Sequence, residues 1–295
     1  MNISEMIHKG MRCFDGGTGT MLMKLGLEIG GCPETAPADV MLSIHNAYIE
    51  AGAQYITTNT FGASRPKLAK YDLAEKTADI SKRNTETARR AASGKNVFVA
   101  GDIGPTGEII EPYGSFAMEQ FIEVFTEQAL ALAEGGADLF IIETMASKEE
   151  LAAAIEACKS AASIPVIACM TFDRAAQGGF KTMMGVTPEE ALSLMQSSHA
   201  DVCGANCTLS PTDMVELAQQ YRSLTKLPIL MQPNAGKPRI SNGKTFYDPI
   251  QNIEKVLTDL IAAGVELAGG CCGTDPDYIR LLRKILDRSS REKLQ

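Results

Sequence analysis

The sequence predicts an α/β fold, a (β/α)8 TIM barrel, and three observations carry that expectation. Eight short apolar runs recur along the 295 residues. A segment of helical period follows each run, and glycine, polar and cysteine residues collect where the runs end. The runs are apolar almost throughout rather than alternating, as parallel strands covered on both faces are. Such strands, alternating with helices and without an intervening linker, fit a closed barrel. A doubly wound sheet is the alternative; it usually has fewer strands and a reversal of strand order that the sequence does not display. Residues 1–295 are therefore expected to form one domain.

In chain order the runs are MRCFDGG (11–17), AQYITTN (53–59), NVFVAGD (96–102), ADLFIIET (137–144), IPVIACMTF (164–172), ADVCGANC (200–207), LPILMQPN (227–234) and VELAGGCC (265–272). The clearest helical segments are SFAMEQFIEVFTEQALALAEGGA, SKEELAAAIEACKSAA, TPEEALSLMQSS, SPTDMVELAQQYRSL and DPIQNIEKVLTDLIAAGV. Their starts carry caps. Ser147 precedes Glu150, and Thr187 precedes Glu190, at capping-box spacing, while Pro211 follows Ser210 as a first helical residue. Gly52, Gly136 and Gly264 each stand just past a helix, where a left-handed residue turns the chain into the next strand.

Composition narrows the function. A net charge of −8 disfavours a nucleic-acid or anionic-membrane surface. No apolar run reaches the ~18–20 residues that span a bilayer, and the N-terminus lacks a signal-peptide core, so a cytoplasmic protein is expected. Eight cysteines without an export signal read as reduced thiols or metal ligands rather than disulfides. Cys158, Cys169 and Cys203 sit in apolar stretches and read as core.

Function in a barrel sits at the C-terminal strand ends. There the adjacent pair Cys271 and Cys272 stands between glycines, in GGCCGT, and Cys207 ends the sixth run. The sixth and eighth strands both neighbour the seventh, so the three sulfurs share one rim. Three thiolates with an open fourth position describe a catalytic zinc site. Two other readings stay open: a phosphate site at the glycine-rich end of the eighth strand, as in barrel lyases and isomerases, or plain core cysteines. The loop Asp15, Gly16, Gly17, Thr18, Gly19 and Thr20 offers a carboxylate and close backbone N–H groups for a small anion. Glu143 ends an apolar strand and needs a cation or solvent; an amino-acid ammonium is one candidate. None of the three histidines falls at a strand end, which disfavours a zinc hydrolase. A thiolate-rich zinc suits activation of another thiol better than of water.

DGGTGT near the N-terminus, GANC at the sixth strand and GGCCGT at the eighth together resemble the homocysteine S-methyltransferase family, over nearly the whole chain. That family includes the homocysteine-binding module of cobalamin-dependent methionine synthase and the betaine–homocysteine methyltransferases. The segment QPNAGKPRISNGKTFYDP looks particularly like the methionine-synthase module. The resemblance implies a (β/α)8 barrel, Zn2+ on Cys207, Cys271 and Cys272, and the homocysteine thiolate at the fourth position. It further implies that the Asp15–Thr20 loop, Glu143 and Asn206, with Thr58 as an addition, hold the amino-acid end. The deprotonated sulfur would take a methyl group and leave as methionine. The implied donor is a separate methyl-corrinoid protein or a small molecule such as S-methylmethionine, S-adenosylmethionine or betaine. The absence of tryptophan weighs against the cationic small donors, which aromatic cages often hold. A non-catalytic metal-binding docking subunit is the remaining alternative.

Overall fold

The computed structural model describes residues 3–27, 31–236, 238–241, 244–247 and 250–292. Seven parallel strands form its central sheet in chain order: β1 (Tyr55–Thr57), β2 (Phe98–Ile103), β3 (Leu139–Met145), β4 (Val166–Met170), β5 (Val202–Asn206), β6 (Ile229–Gln232) and β7 (Leu267–Ala268). The first predicted run forms no strand of comparable length. It enters the sheet as Cys13 and Phe14 alone, which bridge Ala268 and Tyr55 in parallel. Those two residues join β7 to β1 and close the barrel. The Phe14 N–H donates to the Ala268 carbonyl at 2.8 Å, and the Asp15 N–H to the Tyr55 carbonyl at 3.0 Å. The pairing stops there because the glycine-rich loop turns away at residue 16.

Helices cover the outside where the periodicity places them: Met118–Glu134, Lys148–Ala161, Pro188–Ser197, Pro211–Leu224, Ile253–Ala262 and Pro276–Glu292. The first two units are more elaborate, with Thr18–Lys24 and Ala38–Ala51 before β1, and Arg65–Ala69 and Thr77–Ala92 before β2. Two hairpins were not expected, Asp173–Arg174 with Phe180–Lys181 and Pro238–Ser241 with Lys244–Tyr247. Both lie in loops that follow strand ends.

Local chemistry explains the boundaries. Thr187 and Glu190 form the full capping box, and Ser210 caps with Pro211 at the first helical turn. Ser147 caps through its own oxygen, but Glu150 does not complete the box. Its carboxylate instead accepts the N–H and hydroxyl of Thr106, both at 2.7 Å, and ties the loop after β2 to the next helix. Gly52, Gly136 and Gly264 have φ of 106°, 94° and 95°, as the joints require.

The core has two layers. Between sheet and helices lie residues such as Val99, Phe140, Ile142, Ala168, Cys203 and Met231, with Cys158 beneath the helices. Inside the barrel lie Phe14, Tyr55, Ala100, Leu139, Ile141, Ile167, Cys169, Val202, Leu230 and Leu267. Cys158, Cys169 and Cys203 are fully buried, as expected of core thiols. Ile3 and Met6 of the N-terminal helix Ile3–His8, with Met11, pack into the inner cluster. The Met11 sulfur accepts from the Gln54 and Asn96 amides, which precede β1 and β2, so this segment plugs the N-terminal end.

Alternation then dictates the other end. A residue two beyond an inward-facing one also faces inward. Two beyond Tyr55, Ala100, Ile141 and Leu230 stand Thr57, Asp102, Glu143 and Gln232, and four beyond Val202 stands Asn206. An apolar interior therefore gives way to a polar floor at the C-terminal strand ends. Among the described residues, no helix is long and apolar enough to cross a membrane.

Candidate active site

A cavity of about 290 Å³ opens on that floor, lined by the Asp15–Thr20 loop, Thr57, Thr58, Asp102, Glu143, Thr144, Cys207, Gln232, Tyr247 and Gly270–Cys272, among others. Its size suits a small ligand, at the low end of the ~300–1,000 Å³ usual for ligand sites.

The structure brings the three predicted cysteines together. The Sγ atoms of Cys207, Cys271 and Cys272 lie within 4.8 Å of one another, with Cys207 and Cys272 3.9 Å apart. Cys207 directly follows β5 and has a φ of 62°, with Thr208 at 43°. This left-handed pair is costly for non-glycine residues and breaks the strand path, which turns the Cys207 sulfur toward its partners. The Cys207 N–H donates to the Gln232 carbonyl at 3.1 Å, and the Cys271 N–H to the Pro233 carbonyl at 2.9 Å. The backbone thus holds both cysteine segments against the end of β6. Sulfurs at ~2.3 Å from a tetrahedral zinc stand about 3.8 Å apart, close to the separations found. All three are soft donors of the type zinc takes, so the residues fit that ion. Hydrogen bonds from Cys207 and Cys271 pull the Cys272 thiol down to about 3. Bonds to Cys207 and Cys272, together with burial, push Cys271 well above the ordinary thiol range. Ionising all three together would require a cation among them.

The Asp15–Thr20 loop is stapled to the cysteine loop. The Gly17 N–H donates to Thr274 Oγ1 at 3.0 Å, the Gly273 N–H to Thr20 Oγ1 at 2.8 Å, and the Gly270 N–H to the Asp15 carbonyl at 3.0 Å. A Cβ on Gly17 would stand 2.7 Å from the Cys271 carbonyl oxygen, a backbone atom that cannot move aside. Gly17→Ala is therefore expected to displace the cysteine loop, lowering zinc content and the melting temperature together. A variant with full zinc and unchanged melting would refute this account of the contact.

Asp15, Thr58 and Glu143 line the cavity, Asn206 lies fully buried behind its wall, and their polar groups are already engaged. Asp15 accepts the Thr57 N–H at 2.8 Å and the Thr57 hydroxyl at 3.1–3.2 Å. Thr58 shares a 2.6 Å hydrogen bond with Thr60 and accepts the Asp102 N–H at 2.9 Å. Asn206 accepts the Thr144 N–H at 2.7 Å and donates to Thr144 Oγ1 at 2.8 Å and Glu143 Oε2 at 3.2 Å. Thr144 has a φ of 61°, and the β3–β4 register shifts between Ile142 and Met145. This irregularity at the end of β3 re-aims Glu143 across the cavity.

Asp102, Gln232 and Tyr247 also line the cavity. The first two were readable as strand-end residues, and counting by twos from Ala100 and Leu230 would have turned them inward. Tyr247 belongs to the unexpected hairpin, and its ring lies against Gly273, at φ 83°, where no side chain would fit. His45 is buried in the Ala38–Ala51 helix, where burial holds its imidazole down to about 4 and hence neutral. No histidine lines the cavity.

The site is acidic. Burial pushes the Asp15 carboxyl up to about 7, against hydrogen bonds from Thr57 that pull it down. Burial, with Cys207 and Asp15 nearby, pushes Glu143 up to about 8. The Asp15 shift fixes a pH dependence of stability. Between about pH 4 and 7 the folded protein keeps a proton that the unfolded chain has released, so stability is highest at the acid side of this window and falls as pH rises. The expected slope is roughly 1.4 kcal/mol per pH unit from this one group. Melting of the metal-free protein between about pH 4.5 and 7 checks it. Asp15→Asn should lower the slope by about that amount while the share from Glu143 remains, and an equally steep profile in the variant would exclude Asp15 as a source.

Comparison with known proteins agrees with this geometry. Residues 12–286 match the family model described as homocysteine S-methyltransferase. The methionine synthase of Mycobacterium leprae (strain TN) is 33% identical over 302 residues, covering 95% of this chain and 24% of that protein. The methionine synthase of Mycobacterium tuberculosis (strain ATCC 25618 / H37Rv) is 32% identical over 301 residues, covering 95% and 25%. The chain thus spans about a quarter of the length of these curated relatives. Among solved structures, the metallated form of the homocysteine methyltransferase MmuM from Escherichia coli superposes with a TM-score of 0.79 at 22% identity, covering 96% of this chain and 98% of that one. That likeness shows the shared fold. The family match over residues 12–286 settles the chain's kinship: it belongs to the homocysteine S-methyltransferase family.

Proposed function

We propose that residues 1–295 act as a single homocysteine-binding barrel that transfers a methyl group to the homocysteine thiol, giving methionine, with one zinc ion held by Cys207, Cys271 and Cys272. The observation that carries this reading is the convergence of three thiols within 4.8 Å on the wall of a cavity with no lysine, arginine or histidine among its described lining residues. An acidic, thiol-rich pocket selects a soft cation and an ammonium group.

Bound there, zinc would supply the positive charge that lets a thiol of ordinary pKa ~8.5 lose its proton at neutral pH. The chain's own residues do the rest. Glu143, aimed by Asn206, takes the substrate ammonium. The Gly16–Thr20 loop takes the carboxylate, since the helix Thr18–Lys24 begins at Gly17 without a side-chain cap on its first N–H groups. Asp15 and Thr58 fix that loop and the end of β1 in place. The half-buried setting of the sulfurs, at the end of β5 and beside β6, reduces the water around the reacting sulfur. No protein base is needed, in keeping with a cavity that histidine does not line.

The donor proposed is a methylated corrinoid carried on a protein module, ahead of a small sulfonium or ammonium donor. Two observations support it. Two relatives that match over 95% of this chain are methionine synthases. Ile109, Tyr113, Met183 and Met184 are exposed large apolar side chains in loops after β2 and β4, on the rim where a docking module would sit. The test is elemental analysis with a donor panel. About one zinc per chain, and turnover of homocysteine with a methyl-corrinoid protein, are expected. A metal-free protein with full activity would overturn the zinc assignment, and turnover only with S-methylmethionine or betaine would overturn the donor.

A further inference from the structure

The polar floor contains one carboxylate that the expected contacts leave without work. Asp102 is 5% exposed, at the end of β2, and its Oδ1 has no hydrogen-bond partner. Its backbone is firmly held. The N–H donates to Thr58 Oγ1 at 2.9 Å, and the carbonyl accepts from Thr60 Oγ1 at 2.7 Å and Gln128 Nε2 at 3.4 Å. A rigid mount with an unpartnered acceptor, facing a cavity, is rare in a folded protein, where buried polar atoms are nearly always paired. Asp15 differs, because both its oxygens are bonded to Thr57. Glu143 differs too, because Oε2 accepts from Asn206.

We propose that Asp102, at the end of the strand beside that of Glu143, binds the ammonium group of the amino-acid substrate together with it and sets the preference for a substrate with a free α-amino group. The inference rests on the homocysteine reading of the same cavity. Four carboxylates, Asp15, Glu34, Asp102 and Glu143, line it with no cationic side chain among the described lining residues. An ammonium carries three N–H donors and can serve more than one acceptor. Burial, and the neighbouring charges of Glu143, Asp15 and Glu34, raise the Asp102 carboxyl well above its usual range. An arriving ammonium reverses that cost, so the residue discriminates strongly between substrates with and without the group.

The experiment compares homocysteine with 4-mercaptobutanoate, which has the thiol and carboxylate but no amine, on the zinc-loaded protein. Calorimetric binding of both needs no methyl donor, and kcat and KM follow with the donor found for the wild type. Asp102→Asn is expected to weaken homocysteine about 10- to 100-fold while leaving the analogue, the zinc content and the melting temperature unchanged. Asp102→Glu, which keeps the charge but displaces it, should also weaken homocysteine selectively, and it serves if the asparagine variant misfolds. An unchanged homocysteine-to-analogue ratio in a folded variant overturns the role of Asp102 and leaves the methyltransferase reading intact. A wild-type protein that binds neither compound overturns both.

Discussion

Replacing Cys271 with serine is expected to abolish zinc binding and methyl transfer together. The serine hydroxyl is a hard donor that stays protonated at neutral pH, so the site keeps two thiolates where the ion needs three. Altering residues that merely support a metal ligand costs ~10- to 100-fold in metal affinity, and loss of a ligand itself should exceed the upper figure. Without the ion, homocysteine relies on the few per cent of free thiol that is ionised near pH 7. Cys207→Ser and Cys272→Ser should behave alike, because the three Sγ atoms form one cluster within 4.8 Å. Zinc content by elemental analysis, read beside activity, is the check. Cys203→Ser provides the control: its sulfur lies beneath the helices, so it should cost stability and spare the metal. If a folded Cys271→Ser protein held one zinc and full activity, the zinc assignment would be wrong.

Asn206→Ala is expected to produce the next largest effect, on substrate affinity and stability at once. This fully buried amide at the end of β5 holds the end of β3 from the side. It accepts the Thr144 N–H at 2.7 Å and donates to Thr144 Oγ1 at 2.8 Å and Glu143 Oε2 at 3.2 Å. Alanine leaves a buried N–H and a carboxylate oxygen without partners, at about 1–3 kcal/mol for each group. It also frees Thr144 from its left-handed conformation, and with it the direction of Glu143. The KM for homocysteine should rise about 10- to 100-fold if the Glu143 contact to the ammonium is lost. Zinc content should fall as well, because the same amide donates to Cys271 Sγ at 3.9 Å, and loss of such support costs ~10- to 100-fold in metal affinity. A denaturation midpoint and a homocysteine titration decide the matter. An unaltered KM in a destabilised protein would reduce Asn206 to a packing residue.

The cysteine cluster was legible because its chemistry is scarce. Few residue types bind zinc through sulfur, and the barrel pattern alone placed Cys207 and Cys271 on one rim. The eight-unit rhythm was legible too, since parallel strands buried on both faces write long apolar runs. The first strand was not legible in its true extent, because MRCFDGG is as apolar as its neighbours and only pairing partners show that Cys13 and Phe14 alone engage. Asp15 was recognisable as a rim residue, but a sequence does not say that both its oxygens are bonded to Thr57. Asp102 stood in plain view at a strand end. Its significance lies in a missing partner, and an absence of hydrogen bonds is written nowhere in the order of residues. The Lys244–Tyr247 strand was hidden because its few polar and aromatic residues carry neither a helical nor a sustained alternating period.

The N-terminal plug has a consequence for the order of events in a catalytic cycle. Ile3, Met6 and Met11 fill the barrel from below, and the aromatic stack of Phe14 on Tyr55, with centroids 4.4 Å apart, seals the interior above them. Among the described residues, this packing closes the N-terminal end of the barrel. In the proposed reaction, amino acid and methyl donor would approach through the same mouth, and the product would leave by it. A bulky donor seated on the rim would trap whatever lies beneath. If the barrel carries out the proposed methyl transfer, turnover under such geometry is sequential: homocysteine first, donor second, donor away, methionine out. Raising the donor concentration should then slow rather than speed the reaction once the mouth stays covered, so substrate inhibition by the donor would be the kinetic signature of a barrel closed at one end.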